Sequence, residues 1–237
     1  MLLQADRPVN ACCSLQDAVY YGYMEKIAWL VLEFVVVFIL LPLLLYYRVL
    51  PNSPIPFLLA LALVAWFILG HDAAFDRSHL INATAALRHL LPVLLRSSAL
   101  CIVLGLGVWL FAPQLLFSFV RRAPVFWGVV MVLYPLLSVY PQELIFRAYF
   151  FHRYEALFGA GWTMVTASAL AFGFVHIVLG NWISVALSTI GGFLFALTYL
   201  QSSSLLLASI EHAFFGNFIF TIGLGQFFYH GTRFRVG

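Results

Sequence analysis

Residues 177–210 read IVLGNWISVALSTIGGFLFALTYLQSSSLLLASI, 34 consecutive positions without Asp, Glu, Lys, Arg or His. A helix needs about 20 apolar residues, at about 1.5 Å of rise each, to cross the hydrocarbon of a bilayer. The run is too long for one ordinary crossing, and Gln201-Ser202-Ser203-Ser204 divides it into two. Ionisable groups stand at both ends, His176 just before the run and Glu211-His212 just after it.

The whole chain agrees with this local reading. Its 237 residues are 64% hydrophobic and 9% charged, whereas soluble domains run near about 45–50% apolar and about 25% charged. Twelve basic and nine acidic side chains cannot coat a soluble body of this size. A disordered chain carries far less apolar surface. The net charge of +3 is small, the basic residues are scattered, and Arg121-Arg122 is their only adjacent pair. No stripe or tail points to nucleic acid. Cys12, Cys13 and Cys101 suggest neither a disulfide framework nor a thiolate metal cluster.

Working outward, 27–47 is the first span, with Glu33 inside it, and its upstream flank 1–26 lacks the apolar core of a signal peptide. Residues 57–70 make a short second span of 17 uncharged residues when counted from Pro54. The polar segment 71–96 follows, a candidate cover for the bundle's opening, in which 80–95 reads as an amphipathic stretch lying on the membrane. Then come 97–120, 123–142, Trp162–Leu179, the first part of the opening run, and about Leu205–Ile222. The expectation is an all-α, polytopic transmembrane bundle of about seven spans, six to eight, forming one integral membrane domain over 1–237. With the N-terminus, 71–96 and 141–161 on one side, seven Lys/Arg face five, which favours that side as cytoplasmic.

Ionisable groups inside hydrocarbon are costly and point to function. Glu143 and Arg147 lie four apart, on one helix face, where they can pair; an interfacial ion pair with Arg147 snorkelling is the plainer alternative. His176 alone reads as a histidine bonded to a backbone carbonyl. Glu211 and His212, flanked by apolar helix, need partners across the bundle. Such a set can activate water, with a carboxylate and an imidazole taking protons and other donors meeting a developing oxyanion. Glu143, His176 and His212 also suit zinc, although the H-E-x-x-H spacing is absent. There is no G-x-S-x-G, P-loop or dinucleotide fingerprint. Gly191-Gly192 and the F-G-F at 172–174 read as close helix contacts. Tyr46, Tyr47, Trp127, Tyr140 and Trp162 read as interfacial anchors.

The order of these motifs resembles the CPBP family of intramembrane proteases, the CAAX-protease and bacteriocin-processing (Abi) enzymes. Its members carry Glu-Glu-x-x-x-Arg, then Phe-x-x-x-His, then a His followed closely by Asn or Asp. Here Q-E-L-I-F-R at 142–147 matches the first, Phe172 with His176 the second, and His212 with Asn217 approximates the third, over a core of about 124–225. Two departures stand out. Gln142 replaces the first carboxylate, where the family's water-activating base falls. The amide stands five residues after His212, at Asn217, where four is usual and Gly216 is found.

The resemblance implies an intramembrane endopeptidase acting on a membrane-associated peptide or protein, possibly at its C-terminal segment. In that reading Glu143 activates water with His176, Arg147 holds Glu143, His212 donates to the oxyanion, and Asn217 or Glu211 assists. No cofactor is expected, with zinc the alternative. Relatives cleave prenylated C-terminal tripeptides or are linked to bacteriocin immunity and sorting tails. The P-Q-E variant and Y-H-G at 229–231 look like a bacterial subgroup handling C-terminal sorting signals, in the cell's inner membrane. Gln142 also leaves open a catalytically inactive relative acting as an immunity factor or membrane scaffold.

Overall fold

The computed structural model describes residues 9–51 and 53–228, with side chains from Tyr20 onward. The Y-H-G run, the first eight residues and the side chains of Cys12 and Cys13 lie outside the described residues. Seven long helices follow one another: α1 (9–46), α2 (Ile55–His71), α3 (Ala83–Phe111), α4 (Pro124–Arg153), α5 (Trp162–Val175), α6 (Trp182–Ser202) and α7 (Leu205–Ile222). Among the described residues, six helical stretches are long and apolar enough to span a membrane, and α2, at 17 residues, is a shorter apolar helix. The chain is a polytopic helical membrane protein, within the expected six to eight spans.

The break in the opening run falls inside the predicted Gln-Ser-Ser-Ser. Ser203 ends α6 in the left-handed region (φ 46°), and the Ser204 side chain caps α7 by accepting from the Leu207 N–H. Those two residues satisfy backbone groups that hydrocarbon cannot.

Two boundaries differ from expectation. The segment 80–95 is not a separate surface element, because α3 runs unbroken through Pro92 for 29 residues, about 44 Å. Likewise α4 does not stop near Gln142 but continues to Arg153, so Tyr140 lies within the helix rather than at its end. Two π turns interrupt α4, one beginning at Pro135 (Pro135–Val139) and one at Leu144–Tyr149, which holds no proline. A proline has no N–H for the carbonyl four residues back, and a π turn re-registers the ladder.

Lipid solvates apolar side chains as well as a core does, so helix association rests on close packing and polar contacts. Small residues let α5 and α6 touch. A Cβ on Gly192 would sit 3.1 Å from the Ala169 backbone, and one on Gly173 would overlap the Thr189 hydroxyl. Between α1 and α4 the seam is aromatic: Phe38 meets Phe146 at 5.3 Å and Phe150 at 5.2 Å, edge to face. Leu63, Phe67, Ile102 and Val103 point outward, as lipid-facing residues should.

Candidate active site

Glu143 directly precedes the second π turn of α4, and Arg147 lies within it. Both side chains are 0% exposed, with Arg147 Nε 3.1 Å from Glu143 Oε2. This approach is charge pairing rather than a directed hydrogen bond, since neither atom has a hydrogen-bond partner. The rest of the guanidinium is held firmly. Nη1 donates to Ser168 Oγ at 2.8 Å and to the Phe146 carbonyl at 3.2 Å, and Nη2 donates to the Gly192 carbonyl at 3.4 Å. Its carbon lies 5.1 Å from the Phe172 ring centroid, a cation–π distance.

Across the bundle, α7 brings His212 to the same carboxylate, with Nδ1 2.8 Å from Glu143 Oε1. A carboxylate only accepts, so the proton is on Nδ1. The imidazole stacks on Phe195, centroids 4.4 Å apart and planes 13° from parallel, while Phe172 meets it edge-on. Its Nε2 faces the Tyr134 hydroxyl at 3.1 Å. Four groups therefore form one chain, Tyr134–His212–Glu143–Arg147, drawn from α4 and α7.

This chain stands at the wall of a cavity of about 690 Å³. Most of the lining is apolar, including Leu41, Leu58, Phe119 and Leu133. Tyr134, Ser138, Gln142, His176 and His212 supply a polar wall. His176 sits just past the end of α5 and donates Nδ1–H to the Phe172 carbonyl at 2.7 Å. In the neutral ring its other nitrogen, Nε2, is then a bare acceptor. Gln142 donates to Ser138 Oγ at 2.7 Å, and its buried Oε1 has no hydrogen-bond partner.

Several expectations change here. Glu143 does not line the cavity; its Oε1 meets His212 Nδ1, and its Oε2, without a hydrogen-bond partner, faces the Arg147 guanidinium. Asn217 is not brought to His212. The α7 helix is regular through Gly216, five residues turn Asn217 about 140° away, and its Nδ2 donates instead to the Met131 carbonyl. Glu211 faces α3 and α6: Arg96, Ser97 and Thr198 all donate to its carboxylate, at 2.5, 2.9 and 2.6 Å. Among the described residues, none of 71–96 lines the cavity, so that segment does not cover it.

Among the described residues no three His, Cys, Asp or Glu side chains stand close enough to hold a metal. Glu143 is paired with a cation, and His212 has both nitrogens engaged. These residues do not fit a metal site.

The sequence reading missed Tyr134, Ser168 and Arg96. Tyr134 carried the one usable signal, a phenol within an apolar span whose hydroxyl needs a partner. Trp127, taken as an anchor, is also more than that, since its indole N–H donates to Thr221 Oγ1 at 3.1 Å.

The fold and this cluster define a class, a multi-pass helical membrane protein with a buried Glu–His–Arg group at the wall of an apolar cavity. Residues 123–218 match the family described as Type II CAAX prenyl endopeptidase Rce1-like. A domain similar to CAAX proteases thus covers part of the chain, and Tyr134, Glu143, His176 and His212 all lie within it. No curated protein and no solved structure matches the chain.

Proposed function

We propose that this protein is an intramembrane endopeptidase that hydrolyses a peptide bond of a membrane-associated protein or peptide. One observation carries the reading: His176 and His212 stand on the wall of one apolar cavity, and His212 is backed by a buried carboxylate. The Nε2 of His176 takes a proton from water as the oxygen attacks the carbonyl carbon. Charge moves to the carbonyl oxygen, which polar donors of the wall meet in a medium that strengthens them. Collapse breaks the C–N bond, and the proton held by His176 passes to the leaving amine. Glu143 holds the His212 ring and balances any positive charge it gains, and the Arg147 guanidinium lies against Glu143. The reaction needs no cofactor. Its setting is the cell's inner membrane, and an apolar cavity of this kind suits a peptide segment, such as a C-terminal one, that is itself membrane-associated.

The test uses purified full-length protein in liposomes with palmitoylated fluorophore–quencher peptides of randomised sequence. Wild type should cleave, while His176→Ala and His212→Ala should each lose about a hundredfold or more. Equal rates in all three would sink the enzyme reading.

Gln142 favours a second reading. An amide cannot take a proton, and here it stands on the cavity wall bonded to Ser138. A catalytically inactive relative, an immunity factor or membrane scaffold, would cleave nothing in the same assay, yet its biological effect would survive His176→Ala.

A further inference from the structure

We propose that Tyr134 is a positioning residue for His212, holding the imidazole in a single tautomer and orientation. The inference rests on the peptidase reading for its catalytic consequence, but the positioning itself can be tested separately.

Three observations converge. The first is the 3.1 Å contact between Tyr134 Oη and His212 Nε2. With Nδ1–H committed to Glu143, Nε2 of the neutral ring is an acceptor, so the phenol donates. Which ring nitrogen carries the proton is set by the hydrogen bond that the other makes, and here both ends agree on Nδ1–H. The second is Gly216, one turn beyond His212, where a Cβ would overlap the Tyr134 hydroxyl and ring. Only a residue without a side chain lets the phenol lie across α7 and reach the histidine. The third is the alternative helper, Asn217, which faces Met131 on α4 and not the histidine.

The chemistry follows from the placement. If His212 gains a proton, its Nε2 becomes a donor and the Tyr134 oxygen accepts from it. The phenolic proton is then released to point into the cavity, which Tyr134 also lines. One hydrogen bond thus reverses direction as charge moves, without a side chain changing place.

The experiment combines nitrogen-15 NMR of histidine-labelled full-length protein in detergent with the liposome cleavage assay. The His212 signals are assigned by their absence in His212→Ala. Wild type should show one His212 tautomer, Nδ1–H. Tyr134→Phe keeps the ring volume and should leave His212 Nε2 without its donor, shifting that resonance and admitting the second tautomer. Gly216→Ala, which displaces Tyr134 while keeping its hydroxyl, should produce the same change. Cleavage should fall about tenfold to a hundredfold in both, the usual loss for a group that orients a reacting residue, and its pH profile should move. An unchanged His212 spectrum in both variants overturns the proposal. If the spectra shift but wild type cleaves nothing, the positioning stands and the peptidase reading falls. Shifted spectra with undiminished cleavage overturn the assignment of Tyr134 to the reaction.

Discussion

Asn217 donates through Nδ2 to the carbonyl of Met131 at 3.3 Å, the carbonyl that Pro135, four residues on, has no N–H to satisfy. A backbone acceptor left open inside hydrocarbon is costly, and neighbouring helices supply partners at such prolines. This assigns Asn217 to the α4–α7 contact. The expected outcome is a coupled pair. Asn217→Ala should destabilise by about 0.5–1.5 kcal/mol, the usual size of a polar contact between membrane helices. The same change should cost almost nothing in a Pro135→Ala background, where the backbone donor returns. A double-mutant cycle by denaturation in mixed micelles measures this; equal costs in both backgrounds would remove the link.

Glu211 and His212 are neighbours in sequence with different jobs. The Glu211 carboxylate is 0% exposed and ties α7 to Arg96 and Ser97 on α3 and to Thr198 on α6. Glu211→Gln should lower the melting temperature in detergent while keeping cleavage within a few-fold of wild type. Glu143→Gln should do the reverse in emphasis, losing cleavage by about a hundredfold or more because His212 is no longer held or charge-balanced. Comparable cleavage losses in the two variants would show that Glu211 belongs to the reaction.

How far the sequence reaches is visible in these same residues. The 34-residue run and its serine break were legible because hydrocarbon forbids both charges and unpaired backbone groups. The Glu143–Arg147 pair was legible from a spacing of four. The partners of Glu211 were not, because Arg96 lies 115 positions away and nothing local ties them together. That Glu143 lies off the cavity wall was hidden for a similar reason. Periodicity places a carboxylate on a face, but it does not show that His212 bonds one of its oxygens while Arg147 stands against the other. The ends of α3 and α4 were missed because Arg96 and Glu143, which look like span ends, are buried or paired inside longer helices.

Arg147 is wholly buried, and its charge is matched by Glu143. Removing one member of a buried pair strands the other, at a cost of about 3–5 kcal/mol. Arg147→Leu should therefore destabilise by roughly that amount, whereas the double change Glu143→Leu with Arg147→Leu should recover much of it while remaining inactive. Unfolding in mixed micelles checks both. A single variant as stable as wild type would mean that the pair contributes nothing.

Asp72 closes α2 at the end away from the cavity-lining Ile55 and Leu58, and accepts from His152 Nε2 of α4 at 2.8 Å. That hydrogen bond, and then the Ala74 N–H, hold the Asp72 carboxyl below its ordinary pKa of 3.8. A depressed carboxylate contributes stability that is fully present above the unfolded value and is lost as pH falls through the folded one. Asp72→Asn should consequently melt lower than wild type by a constant margin from pH 7 down to about pH 5, and the margin should shrink as pH falls below about 4. Both groups are partly exposed, so salt should also narrow the margin. Melting curves of the two proteins across this range, at low and high salt, give the answer. The absence of any margin at every pH would assign the stabilisation to the Asp72–Ala74 turn alone, since an asparagine oxygen accepts from the Ala74 N–H as an aspartate does.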